Sequence, residues 1–113
     1  MNLDSVIGTF IAESQELLQQ MEDALLQIEQ TPDDAELINA IFRAAHTIKG
    51  SSGLFGFDSI VAFTHVAESV LDRVRAGEVR FDGELIALML QVGAHLAGLI
   101  GHLAEGRDLA ELP

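Results

Sequence analysis

Cysteine is absent from the 113 residues. That excludes a disulfide framework, thiolate chemistry and a Cys-x-x-Cys-His haem attachment, and it fits a reducing compartment. Proline occurs only twice while 49% of the chain is hydrophobic, so a packed globule is expected rather than a disordered segment. No run approaches the ~18 uninterrupted apolar residues that a membrane span needs. The opening Met1-Asn2-Leu3-Asp4 has no basic region of the kind that begins a signal peptide, and the expected setting is the cytoplasm. Basic residues are scarce: six Lys and Arg stand against eighteen Asp and Glu, a formal charge of −12. Such a charge repels phosphate backbones and anionic lipid, which disfavours nucleic acid and membrane surfaces as partners.

What charge of the minority sign there is has a place. No Lys or Arg precedes Arg43, while nine acids lie between Asp4 and Glu36. From Leu37 to Phe57 there is no acid at all, only Arg43 and Lys49. A small cationic island thus sits on an acidic body, with His46 at its centre.

Apolar spacing reads as four helices. The first is expected from about Leu3 to Gln30, where Val6, Ile7, Phe10, Ile11, Leu17, Leu18, Met21, Leu25 and Ile28 recur at intervals of three and four. Thr31-Pro32 ends it and starts the second, with Thr31 as N-cap and Asp33, Asp34 and Glu36 in the positive first turn. The second weakens between Gly50 and Gly56. Asp58 caps a third from Ser59 to about Ala76, with Ile60, Phe63, Ala67, Val70 and Val74 inward, and Gly77 stops it. Asp82 caps a fourth, Gly83 to about Leu103, apolar around most of its girth and expected to be the best buried. No strand-period segment competes. The fold class is all-α, an antiparallel up-down four-helix bundle over residues 1–104, with 105–113 starting a linker or a partial fifth helix.

On a helical wheel with His46 at zero, Leu37, Ile41, Ala44 and Ile48 fall between about 160° and 220°. The core stripe therefore points away from His46, which faces water. Asn39, Arg43, Gly50 and Gly53 lie within about 60° of it, and Lys49 about 60° to the other side. Imidazole is nucleophilic at neutral pH if one nitrogen is free and the other N–H is held, commonly by a carboxylate. The third helix offers one: His65 and Glu68, three apart, share a face opposite Phe63, Ala67, Val70 and Val74. Spacing alone also fits an ordinary surface His–Glu pair.

His46-Thr47-Ile48-Lys49-Gly50-Ser51-Ser52-Gly53-Leu54-Phe55-Gly56-Phe57 follows Ile41-Phe42-Arg43-Ala44-Ala45 and precedes His65-x-x-Glu68. This set resembles the histidine phosphotransfer (HPt) domain of CheA-type chemotaxis histidine kinases, over nearly the whole chain. The resemblance implies that His46 accepts a phosphoryl group through Nε2 and that Glu68 holds its Nδ1–H. Lys49 and His65 would complete a hydrogen-bonded, charge-stabilising set. Gly50 would leave room for a docking receiver domain, with Phe42, Arg43 and Gly53 on the same partner-facing surface. Ser51-Ser52 stands where such domains often carry smaller residues, which would crowd that docking slightly.

The implied partners are a kinase catalytic domain, in the same chain or in trans, and response-regulator receiver domains, with this domain itself monomeric. No cofactor is expected on this chain; ATP and Mg²⁺ would come with the partner domains. The residues agree that a nucleotide site is missing. Gly50, Gly53 and Gly56 give G-x-x-G-x-x-G, not the dinucleotide fingerprint, and Lys49-Gly50-Ser51 reverses the P-loop order. A bundle di-iron site needs Glu-x-x-His, and the residues three before the four histidines are Arg43, Ala62, Val92 and Leu99, so no metal is expected. Other readings stay open at this point: a relay module of a hybrid kinase or pilus-motility system, a non-catalytic helical dimerisation module, or a haem-binding bundle.

Overall fold

The apolar intervals of three and four become four helices in the computed structural model, which describes residues 3–106. They are α1 (Leu3–Ile28), α2 (Ala35–Leu54), α3 (Asp58–Arg75) and α4 (Gly83–Ala104). Short loops make successive helices antiparallel. Helix α2 packs on both α1 and α3, α1 packs also on α4, and α3 touches α4 only lightly. The core runs down the middle through Phe10, Met21, Leu25 and Ile28 of α1, Ile41 and Ile48 of α2, Ile60 and Leu71 of α3, and Met89, Leu96 and Ile100 of α4. Residues 107–113, where most of a fifth helix or linker was expected, lie outside the described residues.

The second helix starts three residues later than Thr31-Pro32 suggests. The backbone N–H of Asp34 donates to the Thr31 carbonyl at 3.0 Å, closing Pro32 and Asp33 into a turn. Asp34, not Thr31, is the N-cap: its Oδ1 accepts from the backbone N–H of Glu36 at 3.0 Å and of Leu37 at 3.3 Å. Either residue type can cap, and the carboxylate gains from the helix dipole as well. Asp34→Ala should therefore cost about 1 kcal/mol and lower the thermal midpoint by several degrees. Thr31→Ala should leave the melting curve nearly unchanged.

Between α2 and α3 the backbone turns on itself. The N–H groups of Phe55 and Phe57 both donate to the Ser52 carbonyl, at 3.2 and 3.0 Å. Gly56 takes φ +73°, which costs a side-chain-bearing residue roughly 1 kcal/mol or more. The tight turn makes Phe57 the N-cap position of α3 and Asp58 its first residue, so the expected Asp58 side-chain cap does not form. Phe55 and Phe57 instead close a three-ring cluster with Phe10 of α1, all centroids 5.5–5.6 Å apart. Asp82 does cap α4 as expected, accepting from the Leu85 N–H at 2.9 Å.

The burial expected on α3 needs correction, and that on α4 needs detail. On α3, Thr64 and Leu71 are fully buried while Phe63 and Val70 sit at the edge of the core, so the inward stripe runs Ile60, Thr64, Ala67, Leu71 and Val74. Thr64 fits there because its hydroxyl donates to the Ile60 carbonyl at 2.7 Å, which satisfies it locally. Helix α4 carries as many buried apolar residues as the longer α1, but part of its apolar girth stays in water: Leu88 is half exposed and Ala87, Ala94 and Ala97 face out. An apolar girth can be buried only where neighbours stand, and α4 has a full neighbour on one side only. By length and composition alone α4 could cross a membrane; here Leu85, Met89, Leu96 and Ile100 form one wall of the core.

Candidate functional site: the histidine at the α2–α3 seam

Small and β-branched residues set α2 against the core so that His46 is left at the rim. Ala44, Ala45 and Ile48 are buried around it, and its own side chain is 62% exposed. Across the seam, Glu68 lies between buried Ala67 and Leu71, and its side chain is only 16% exposed. Its Oε1 stands 3.3 Å from His46 Nδ1, and its Oε2 stands 2.9 Å from Lys49 Nζ. One carboxylate thus bridges two side chains of α2 that are three residues apart.

That bridge determines which imidazole nitrogen is free. A carboxylate can only accept, so the hydrogen bond requires the proton on Nδ1. In the neutral ring this leaves the Nε2 lone pair free, on a side chain that faces water. Burial pushes the Glu68 carboxyl toward a higher pKa, but the hydrogen bonds and charges of Lys49 and His46 outweigh it and hold the group below its ordinary value of 4.5. Glu68 is therefore an anion throughout the neutral range, able to stabilise positive charge that develops on the ring.

The other expected residues divide. Gly50 and Gly53 continue the His46 face, both exposed, and a Cβ built on either meets nothing within 4 Å. No contact among the described residues requires glycine there. Arg43 is exposed on the same face, and among the described residues it pairs with no carboxylate. Phe42 is half-buried and its ring lies nearly parallel to that of His46, 9° between planes and 6.0 Å between centroids. His65 does not join the cluster: it is exposed, and among the described residues its ring makes no hydrogen bond. Being three residues before Glu68 puts it on the same side of α3 but one turn off. Ser52 is fully buried, so the expected crowding by Ser51-Ser52 reduces to Ser51, itself half-buried.

One neighbour was missed. Arg75, the last residue of α3, places its guanidinium carbon 4.2 Å from the centre of the Phe42 ring. The signal was present: Arg75 is seven residues after Glu68, hence on its face, while Phe42 is one turn before His46. Between antiparallel helices those two offsets run to the same side of the first bridge. The remaining histidines are apart from the site. His95 lies against Phe63, and His102 Nδ1–H donates to the Gly98 carbonyl at 2.9 Å.

The Hpt domain family model matches residues 5–106. The chemotaxis protein CheA of Bacillus subtilis is 34% identical over 116 aligned residues, covering 99% of this chain but 17% of its own length. The chain thus corresponds to about a sixth of that relative. Among solved structures, the CheA phosphotransferase domain from Thermotoga maritima superposes with a TM-score of 0.87 at 33% identity, covering 92% of this chain and 99% of that one. The phosphorylated P1 domain of CheA3 in complex with CheY6, from R. sphaeroides, superposes at 0.85 with 27% identity, covering 94% and 84%. The family-model match over residues 5–106, the CheA relative aligned over 99% of the chain and the shared four-helix frame show that this chain belongs to the Hpt domain family, among phosphotransfer domains of the CheA type.

Proposed function

We propose that this domain carries a phosphoryl group on His46 Nε2, between a kinase catalytic domain of CheA type and an aspartate of a response-regulator receiver. The observation that supports it most strongly is the solvent-facing imidazole whose far nitrogen is bound by the Glu68 carboxylate. In the first step the Nε2 lone pair forms a bond to the γ-phosphorus of ATP while the bond to the β-phosphate oxygen breaks and ADP leaves. No proton has to leave Nε2 when the neutral ring reacts with its N–H on Nδ1. The product ring carries positive charge, and Glu68 lies against it. In the second step the receiver's carboxylate oxygen takes the phosphorus, and the lone pair returns to Nε2.

ATP and Mg²⁺ belong in this reading to the partner domains, and the domain works as a cytoplasmic monomer. A relative captured phosphorylated and in complex with CheY6 is the kind of assembly the reading calls for. To test it, this chain is incubated with ATP and a CheA-type kinase lacking its own Hpt domain. One acid-labile, alkali-stable phosphate per chain is expected, and loss of it when a receiver domain and Mg²⁺ are added. A chain that stays unmodified, or a phosphate that resists acid, contradicts the proposal.

Gly50 gives a separate prediction. In the middle of a helix, glycine costs roughly 1 kcal/mol relative to alanine, and no contact among the described residues requires it here. Gly50→Ala should therefore raise the thermal midpoint by several degrees. If the space beside His46 is kept for a partner, the same variant should slow transfer to the receiver. Stopped-flow transfer at the wild-type rate would show the space to be unused.

A further inference from the structure

His46 is mostly exposed and held at one point, by a hydrogen bond whose 3.3 Å lies just beyond the usual range. A single anchor at Nδ1 leaves the ring able to swing about its bond to Cβ. The direction of the Nε2 lone pair would then be poorly defined. Yet reaction with phosphorus needs that lone pair in line with the leaving oxygen.

A second constraint is built beside the first. The Phe42 ring, 9° from parallel with His46 and 6.0 Å away, falls within the range of offset stacking. Phe42 is itself packed against the core on one side. Over its ring lies the Arg75 guanidinium at 4.2 Å, well inside cation–π distance. In a chain of net charge −12, an arginine would be expected to find an acid. Arg73 does pair with Glu78, at 3.5 Å. Arg75, two residues on, has no carboxylate partner among the described residues and rests on the aromatic face instead.

We propose that Arg75 is a positioning residue for His46, acting through Phe42: the α3 cation fixes the Phe42 ring, and that ring fixes the plane of the imidazole. Helices α2 and α3 are then joined at two rungs, Glu68 setting which nitrogen is free and Arg75 with Phe42 setting where it points. The proposal rests on the reading of His46 as the phospho-acceptor.

The test uses this chain alone with a small phosphoramidate donor, so that no docking partner contributes. Arg75→Gln is expected to slow His46 phosphorylation about two- to five-fold. Arg75→Lys, which keeps a cation for the ring, should recover most of that rate. Phe42→Leu should lose at least as much as Arg75→Gln. Because a ring free to swing loosens its hydrogen bond to Glu68, ¹⁵N spectra of His46 in Arg75→Gln should show a smaller Nδ1–H tautomer fraction, with unchanged circular dichroism. Wild-type rate and wild-type ring spectrum in Arg75→Gln overturn the proposal, as does a loss that lysine fails to restore. Should even the wild type resist phosphorylation, the phospho-acceptor reading fails instead, and the ring spectra alone then decide for or against Arg75.

Discussion

Replacing His46 by glutamine should abolish acid-labile labelling of the domain, down to the background of the assay, while leaving its circular dichroism and melting temperature close to wild type. The size of the first effect follows from chemistry. A carboxamide offers no basic lone pair to phosphorus, and no other imidazole is equipped to substitute. Among the described residues His65 has no carboxylate on its ring, His95 lies on Phe63, and His102 is engaged with a backbone carbonyl. The smallness of the second follows from exposure. With 62% of its side chain in water, His46 contributes little buried area, and the Phe42 and Glu68 contacts are on the surface side of the core. Label retained in the variant would move the site elsewhere on the chain; a collapsed fold would mean that the ring has a structural duty its exposure does not suggest.

The next largest loss is expected from Glu68→Gln, roughly 10- to 100-fold in phosphorylation rate, the usual cost of removing the group that orients a functional imidazole. An amide can present either its oxygen or its N–H to Nδ1, so it no longer selects the Nδ1–H tautomer. It also brings no negative charge to the phosphorylated ring. Lys49, 2.9 Å from the carboxylate, loses its counter-charge in the same step. The pH dependence of stability has a definite sign. The Glu68 carboxyl titrates lower in the fold than its ordinary 4.5, so the unfolded chain takes up its proton first as pH falls. The stabilisation is complete above that ordinary value and disappears as pH drops through the lower folded one. Wild type and Glu68→Gln should therefore differ in stability near neutrality and converge in strong acid. Chemical denaturation at several pH values measures the gap, and a gap that widens on acidification would contradict the ion-bridge description.

Much of this arrangement could be read before any coordinates. The wheel that puts Ile41, Ala44 and Ile48 opposite His46 depends only on the helix period, which is why the outward histidine and its neighbours Gly50 and Gly53 were placed correctly. Register between helices is another matter. Spacing puts His65 and Glu68 on one face of α3, but which of them meets α2 depends on how far one helix slides along the other. The structure settles it for Glu68, leaving His65 a turn away in water. Arg75 escaped for the same reason, since its link to Phe42 is a contact across the seam between residues 33 positions apart.

Helix ends show a different limit. Thr31 and Asp34 are both good caps three residues apart, and the choice falls to a turn in which the Thr31 carbonyl accepts from Asp34. At Asp58 the turn closed by the Ser52 carbonyl brings α3 in one residue early, before the aspartate side chain can serve as a cap. Helix α4 shows a third limit. Its composition records how much it could bury, while the lightness of its packing on α3 decides how much it does.

The central claim is that Glu68 keeps the proton on Nδ1 and so leaves Nε2 of His46 as the nucleophile. The phosphorylated chain tests it directly. Long-range ¹H–¹⁵N and ³¹P spectra under alkaline conditions, where phosphohistidine survives, identify which ring nitrogen carries phosphorus. Phosphorus on Nε2, with Nδ1 still protonated and its shift sensitive to Glu68→Gln, is the expected result. Phosphorus on Nδ1 of His46, the nitrogen that faces the carboxylate, would contradict the account.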